Sequence, residues 1–133
     1  MSTQTVVALN QLKGPHPGGD LHCYEVVVQV TGSYLTATQP SFDLLAAFQS
    51  LCHEGVSDIN VKAVTLFQDY NDGTNVYTAD NSEIVLSSTH NKVVTFELDS
   101  GATDGDTGGT EVTNATAISG YLSFIAVLTI TGA

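Results

Sequence analysis

The chain has 133 residues, 42% of them apolar and only 13% charged, which is one domain's length with enough greasy side chains to exclude wholesale disorder. Three lysines (Lys13, Lys62, Lys92), no arginine and fourteen acids leave a net charge of −11. That balance excludes direct nucleic-acid binding, which needs clustered bases to displace counterions, and it disfavours anionic membrane surfaces.

In chain order, Met1–Thr5 carries neither a basic stretch nor a long apolar run, so no signal peptide or membrane span is expected and the protein is expected to be made in the cytoplasm. Val6 to Leu9 reads as a short strand or part of an extended arm. Lys13 to Asp20 holds two prolines and three glycines, which excludes regular structure there. Residues 1–20 are therefore expected as an extended N-terminal arm and loop, and residues 21–133 as a single β-rich domain.

Cys23 to Leu35 alternates as a long strand, with Tyr24, Val26, Val28 and Val30 on one face. One helix is predicted over 42–53, with Ser41 as N-cap and Asp43 in the first turn. Leu44, Leu45, Phe48, Leu51 and Cys52 form its apolar stripe, and Gly55 ends it. Strands follow at Asn60 to Phe67, Asn75 to Thr78, Glu83 to Ser87 and Lys92 to Leu98. Turns are expected at Asp72-Gly73 and His90-Asn91. Asp99 to Gly109, with four glycines and three aspartates, is expected as an exposed loop. The last strand, Tyr121 to Ile130, is apolar on one face and only partly polar on the other, which places it centrally or under a cover. Several strands, short turns and one helix predict a mainly β fold, an antiparallel β-sandwich or jelly-roll-like barrel.

Chemistry-bearing patterns are weak. No serine sits in a nucleophile elbow, and no enzyme is predicted. Cys23 and Cys52 sit far apart; one pair is no disulfide framework, nothing resembles a zinc spacing, and both read as reduced, partly buried thiols. Adjacent strand residues such as His22 and Cys23 point to opposite faces, which argues against a cysteine–histidine pair. Neighbouring helix positions, such as Cys52 and His53, do not face each other either. His16, His22, His53 and His90 lack ligand spacing and read as turn or surface residues. Asp69-Tyr70-Asn71-Asp72-Gly73 is similar to a calcium loop but misses its spacing and its distal glutamate, since position 80 is Asp. Asp99, Asp104 and Asp106 are the remaining oxygen-rich candidates for calcium, with a solvated acidic loop as the bland reading. No cofactor is expected. Asn114-Ala115-Thr116 matches a glycosylation sequon but reads as a structural turn before the last strand.

Val30-Thr31-Gly32-Ser33-Tyr34, Phe42-Asp43-Leu44, Val61-Lys62-Ala63-Val64, the run Thr110 to Thr116 and the closing Thr131-Gly132-Ala133 carry a likeness. In these segments the chain resembles the small decoration or cement (minor capsid) proteins of tailed bacteriophages. It departs from them at Thr36 to Pro40, which stands where a glycine-bearing loop is expected. The resemblance implies a β-rich fold, self-association as a homotrimer, and docking on the major capsid protein to stabilise the head. Placement on the virion exterior follows from charge, because packaged DNA would repel so acidic a chain from the inner wall. The N-terminal arm is one candidate interface, with Leu9, Asn10, Gln11, Leu12, Lys13, Pro15 and Pro17 as its contact residues, since an extended chain can add to a sheet edge; an ordinary frayed terminus is the equal alternative. The alternatives are a small β-sandwich binding module for carbohydrate or a host surface, with Tyr70 and Tyr77 as its exposed aromatics, and a tail or fibre component.

Overall fold

The computed structural model describes residues 2–13, 21–51, 55–100 and 110–132. They form β1 (Ser2–Lys13), β2 (His22–Tyr34), β3 (Ser41–Asp43), α1 (Leu44–Leu51), β4 (Val56–Asn71), β5 (Val76–Val85), β6 (Val93–Ser100), β7 (Thr110–Glu111) and β8 (Thr116–Gly132). The strands are hydrogen-bonded in the order β1-β2-β8-β4-β5-β6-β3, with β7 beside β6. Every pairing is antiparallel. The chain is thus mainly β, with one short helix among the described residues and a nearly closed barrel-like sheet.

Alternation decides which side chains go inside. Val26, Val28 and Val30 of β2 face inward beside Leu122, Phe124, Ala126 and Leu128 of β8, with Val26 opposite Phe124 and Val28 opposite Leu122. Across β8, Val61 meets Leu128 and Leu66 meets Phe124. β6 supplies Val94, Phe96 and Leu98 from the far wall. The rings of Phe42, Phe96 and Phe124 lie 5.4 to 6.2 Å apart at tilted angles and tie the two walls together. Tyr24 meets Phe48 of α1 edge-on at 4.9 Å, which seats the helix over one end of the core.

Several elements differ from expectation. The helix runs from Leu44 to Leu51, not from 42, because Phe42 is drawn into the core as part of β3, opposite Val94. The cap is therefore Asp43, not Ser41. Its Oδ1 accepts the amides of Leu45 at 2.9 Å and Ala46 at 3.2 Å. The expected strands at 75–78 and 83–87 form one strand, β5, which stays paired to β6 across an irregularity between Asp80 and Glu83. Residues 2–13, expected as an arm apart from the body, form β1 along most of β2, with Val6 and Leu9 packed against the core. Their inward alternation with Val28 and Val26 supplies the reason.

Two tyrosines close the ends. β3 covers β6 only from Val93 to Thr95, so the amides beyond it need other acceptors. Pro40 O takes the Phe96 amide at 3.0 Å, and the buried Tyr34 phenol takes that of Leu98 at 3.2 Å. Tyr34 in turn donates to Glu111 Oε2 at 2.7 Å. Burial, and next the bond to that carboxylate, push the Tyr34 phenol far above its usual range. At the β4–β5 turn, the Tyr70 hydroxyl accepts from Ser119 N and donates to Asp72 Oδ2, both at 2.9 Å. Burial, offset in part by the Ser119 amide and reinforced by Asp72, raises that phenol to about 12. Gly120 passes directly beside this turn, and a Cβ there would lie 2.5 Å from Asn71 O.

One seam stays open. Six antiparallel pairings separate β1 from β3, an even number, so these two strands run parallel where they approach. No ladder joins them; the Gln4 side chain spans the gap, its Oε1 accepting the Ser41 amide at 3.3 Å.

Candidate interaction surface

The outward residues of β1, β2, β8 and β4 form one continuous face. Register aligns Thr5, Gln29, Tyr121 and Asn71 in one row, and Ala8, Val27, Ser123 and Gln68 in the next. Asn10, Glu25, Ile125 and Thr65 follow, and then Cys23, Val127 and Ala63. Across these rows the paired outward positions carry one carboxylate, Glu25, which accepts a hydrogen bond from Asn10 Nδ2 at 3.0 Å. Lys62 stands at the bulge beside Ala63. The apolar second face of β8 thus belongs to a central strand, flanked by β2 and β4.

Two bulges raise aromatic and aliphatic side chains out of this surface. Phe67 occupies the register shift between Leu66 and Gln68 and is 58% exposed; Val7 occupies that between Val6 and Ala8 and is 40% exposed. Tyr121 is 50% exposed, and its hydroxyl accepts from Gln29 Nε2 at 3.2 Å. Beside it Gln68, Asp69, Asn71 and Val76 line a shallow cleft of about 320 Å³. Exposed rings rimmed by side-chain amides are the composition of protein-contact and sugar-contact surfaces alike. No family model, curated protein or solved structure matches the chain.

The residues singled out in the sequence fall in different places. Leu9 packs partly against the core, while Asn10, Gln11 and Leu12 are exposed on β1. Lys13 pairs through its backbone with Cys23. Pro15 and Pro17 lie outside the described residues, as do Asp104, Asp106, Cys52, His16 and His53. Asp99 is not in an exposed loop: it is a buried residue of β6, opposite Thr78 and Glu111. Tyr70 is fully buried and stacks on Tyr77 at 5.1 Å, so this pair is not the exposed aromatic platform expected of it. Tyr121 and Phe67 hold the exposed position instead. The signal for Tyr121 was its place on the partly polar face of the last strand; Phe67 needed the bulge, which alternation does not reveal.

Charged contacts cluster at the opposite end of β4. Asp58 contacts His90 at 2.5 Å and Lys92 at 3.3 Å. Desolvation raises its carboxyl, but Lys92, the Ile59 amide and His90 together outweigh that and hold it below the usual carboxylate value. The arrangement pins the β5–β6 connection to β4, where Val61 N also donates to Asn91 O at 2.9 Å.

Proposed function

We propose that this chain is a structural virion protein that decorates the outside of a bacteriophage capsid and stabilises it by bridging major capsid subunits, acting as a homo-oligomer. The sequence likeness to cement proteins supplies the virion context. The carrying structural observation is the wide outer face of β1, β2, β8 and β4 in a chain of charge −11: its register-paired positions carry several apolar side chains and the single carboxylate Glu25, with Lys62 and Asp69 at the β4 bulges. A charge-depleted patch with projecting aromatics suits adhesion to another protein surface. The test is co-sedimentation of the purified protein with intact heads. Changing Phe67→Glu together with Tyr121→Glu, both exposed, should leave the fold intact and strip the protein from heads. Full occupancy by that variant overturns the reading. Deleting residues 1–13 would be a poor test, because it removes a strand from the sheet.

A second reading has its own observation. The cleft beside Tyr121 joins an exposed ring to two side-chain amides and a carboxylate, a set that suits a neutral sugar, as in a small carbohydrate-binding module. Binding to a glycan array that is abolished by Tyr121→Ala, with no binding to heads, would favour it.

A further inference from the structure

We propose that the cleft beside Tyr121 receives one arginine side chain of a partner protein, its guanidinium stacked on the Tyr121 ring and paired with the Asp69 carboxylate. This deepens the capsid reading, and rests on it for the source of that arginine.

Register builds the walls. Tyr121 of β8 stands opposite Asn71 of β4, and Asn71 stands opposite Val76 of β5. Residues directly opposite one another in antiparallel strands share a face, so these three side chains form one outward row. Two strand spacings separate Tyr121 from Val76, roughly 10 Å. Both are well exposed and rise at the sides, with the smaller Asn71 as the floor between them. A flat group stacked on the ring at about 3.5–4.0 Å leaves room for Val76 to cover its other side. The Tyr121 hydroxyl accepts from Gln29 Nε2 at 3.2 Å, which steadies the ring before anything binds.

An irregularity in β4 supplies the charge. Asp69 and Tyr70 fall together in the register shift between Gln68 and Asn71. Tyr70 turns inward and is buried, and Asp69 is left exposed on the lining of the cleft beside Gln68. Among the described residues, neither Asp69 nor Gln68 makes an ion pair or a side-chain hydrogen bond. No lysine or histidine lines the cleft.

That set selects a guanidinium. A free carboxylate takes its planar fork through two parallel bonds, and the same plane lies flat on an aromatic face. The Gln68 carbonyl is an open acceptor for a remaining N–H group. Asn71 Oδ1 takes the Gly73 amide at 2.7 Å and keeps a second lone pair. Val76 gives the aliphatic stem an apolar contact. A neutral sugar would stack on the ring and hydrogen-bond Asp69, but it leaves the carboxylate's charge unmatched. The arginine comes from a different protein, since this chain has none and a second copy at −11 brings repulsion.

The experiment titrates the full chain with N-acetyl-arginine-N-methylamide, followed by NMR at the amides of residues 68–71, 76 and 121. The citrulline counterpart, an uncharged urea of nearly the same shape, is the control. The expected result is saturable shifts for the arginine probe, with a Kd on the order of 10 mM, as one exposed ion pair and one cation–π contact allow. The citrulline probe should give little, and Asp69→Asn, whose melting curve should match the parent's, should abolish the response. Tyr121→Phe keeps the ring and should keep the binding, while Tyr121→Leu should weaken it. On intact heads, Asp69→Asn should bind about fivefold more weakly than the parent, with a shallower salt dependence. Equal shifts for the two probes, or no saturable shift for arginine, overturn the proposal. Saturable binding of methyl glucoside without arginine binding overturns it in favour of the sugar reading. Head binding by Asp69→Asn equal to the parent's overturns it as well. Heads that bind neither protein overturn the capsid reading instead, while the titration still decides the cleft.

Discussion

Replacing Tyr34 with phenylalanine removes one oxygen and leaves the ring, so no cavity opens. Two partners lose a bond: the buried Leu98 amide, whose acceptor was the phenol, and Glu111, which accepted its proton. An orphaned buried amide costs about 1–3 kcal/mol. The bond to Glu111 adds less than its full charge-assisted worth, because that carboxylate is only partly buried and water can replace the phenol. The sum is about 2–3 kcal/mol of stability. With an unfolding entropy of about 2.1 cal/mol/K per residue, that is a fall in Tm of roughly 7–11 °C. Urea denaturation and thermal melting followed by circular dichroism measure both quantities, and Tyr121→Phe, at an exposed phenol, serves as the control with a loss under about 0.5 kcal/mol. A Tyr34→Phe protein as stable as the control would refute the claim that a side-chain oxygen stands in for the missing strand neighbour of β6.

Gly120→Ala should destabilise by about 1–3 kcal/mol in the same melts, because its new methyl is forced against Asn71 O and the Tyr70 ring. Asp72 is held below its usual value of 3.8 first by the Asn75 amide, then by the Thr74 amide and the Tyr70 hydroxyl. Its stabilising contribution is therefore full above about pH 4 and is lost as pH falls through the lowered folded value. Asp72→Asn should flatten that acid limb in a pH series of melting temperatures, while keeping an oxygen for the turn amides. Ser123→Ala should be neutral or stabilising by up to about 1 kcal/mol in urea denaturation, since the Ser123 hydroxyl is buried on the outer face and its oxygen has no hydrogen-bond partner.

Much of this fold is legible as alternation. The inward sets of β2, β6 and β8 are consecutive even-numbered residues, and the greasy second face of β8 marks a strand that is central or covered; it is central. What alternation misses is nonlocal. Phe42 sits at helical spacing from Leu45 and becomes a strand residue because a place between Phe96 and Phe124 is open to its ring. Residues 2–13 look detachable, being followed by a Pro- and Gly-rich stretch, yet Val6 and Leu9 find inward register with Val28 and Val26. The candidate surface is legible in its middle, at Val27, Ile125 and Val127, and illegible at its high points. Phe67 and Val7 project only because an extra residue is inserted in each strand, and Tyr70 is buried while its neighbour in appearance, Tyr121, is exposed.

The position of β8 sets the order in which the molecule can be built. It is the last strand in the chain, yet it alone joins β2 to β4, with Cys23 opposite Val127 and Ala63 opposite the same residue. Hairpins such as β1–β2 and β5–β6 can close early, being local, but the wall that carries the outer face stays in two halves until a loop spanning most of the polypeptide has shut. During synthesis both halves present unsatisfied edges rich in valine. Rapid capture by β8 is therefore what separates the folded chain from an aggregate, and truncations that remove β8 and spare every other strand should yield insoluble protein.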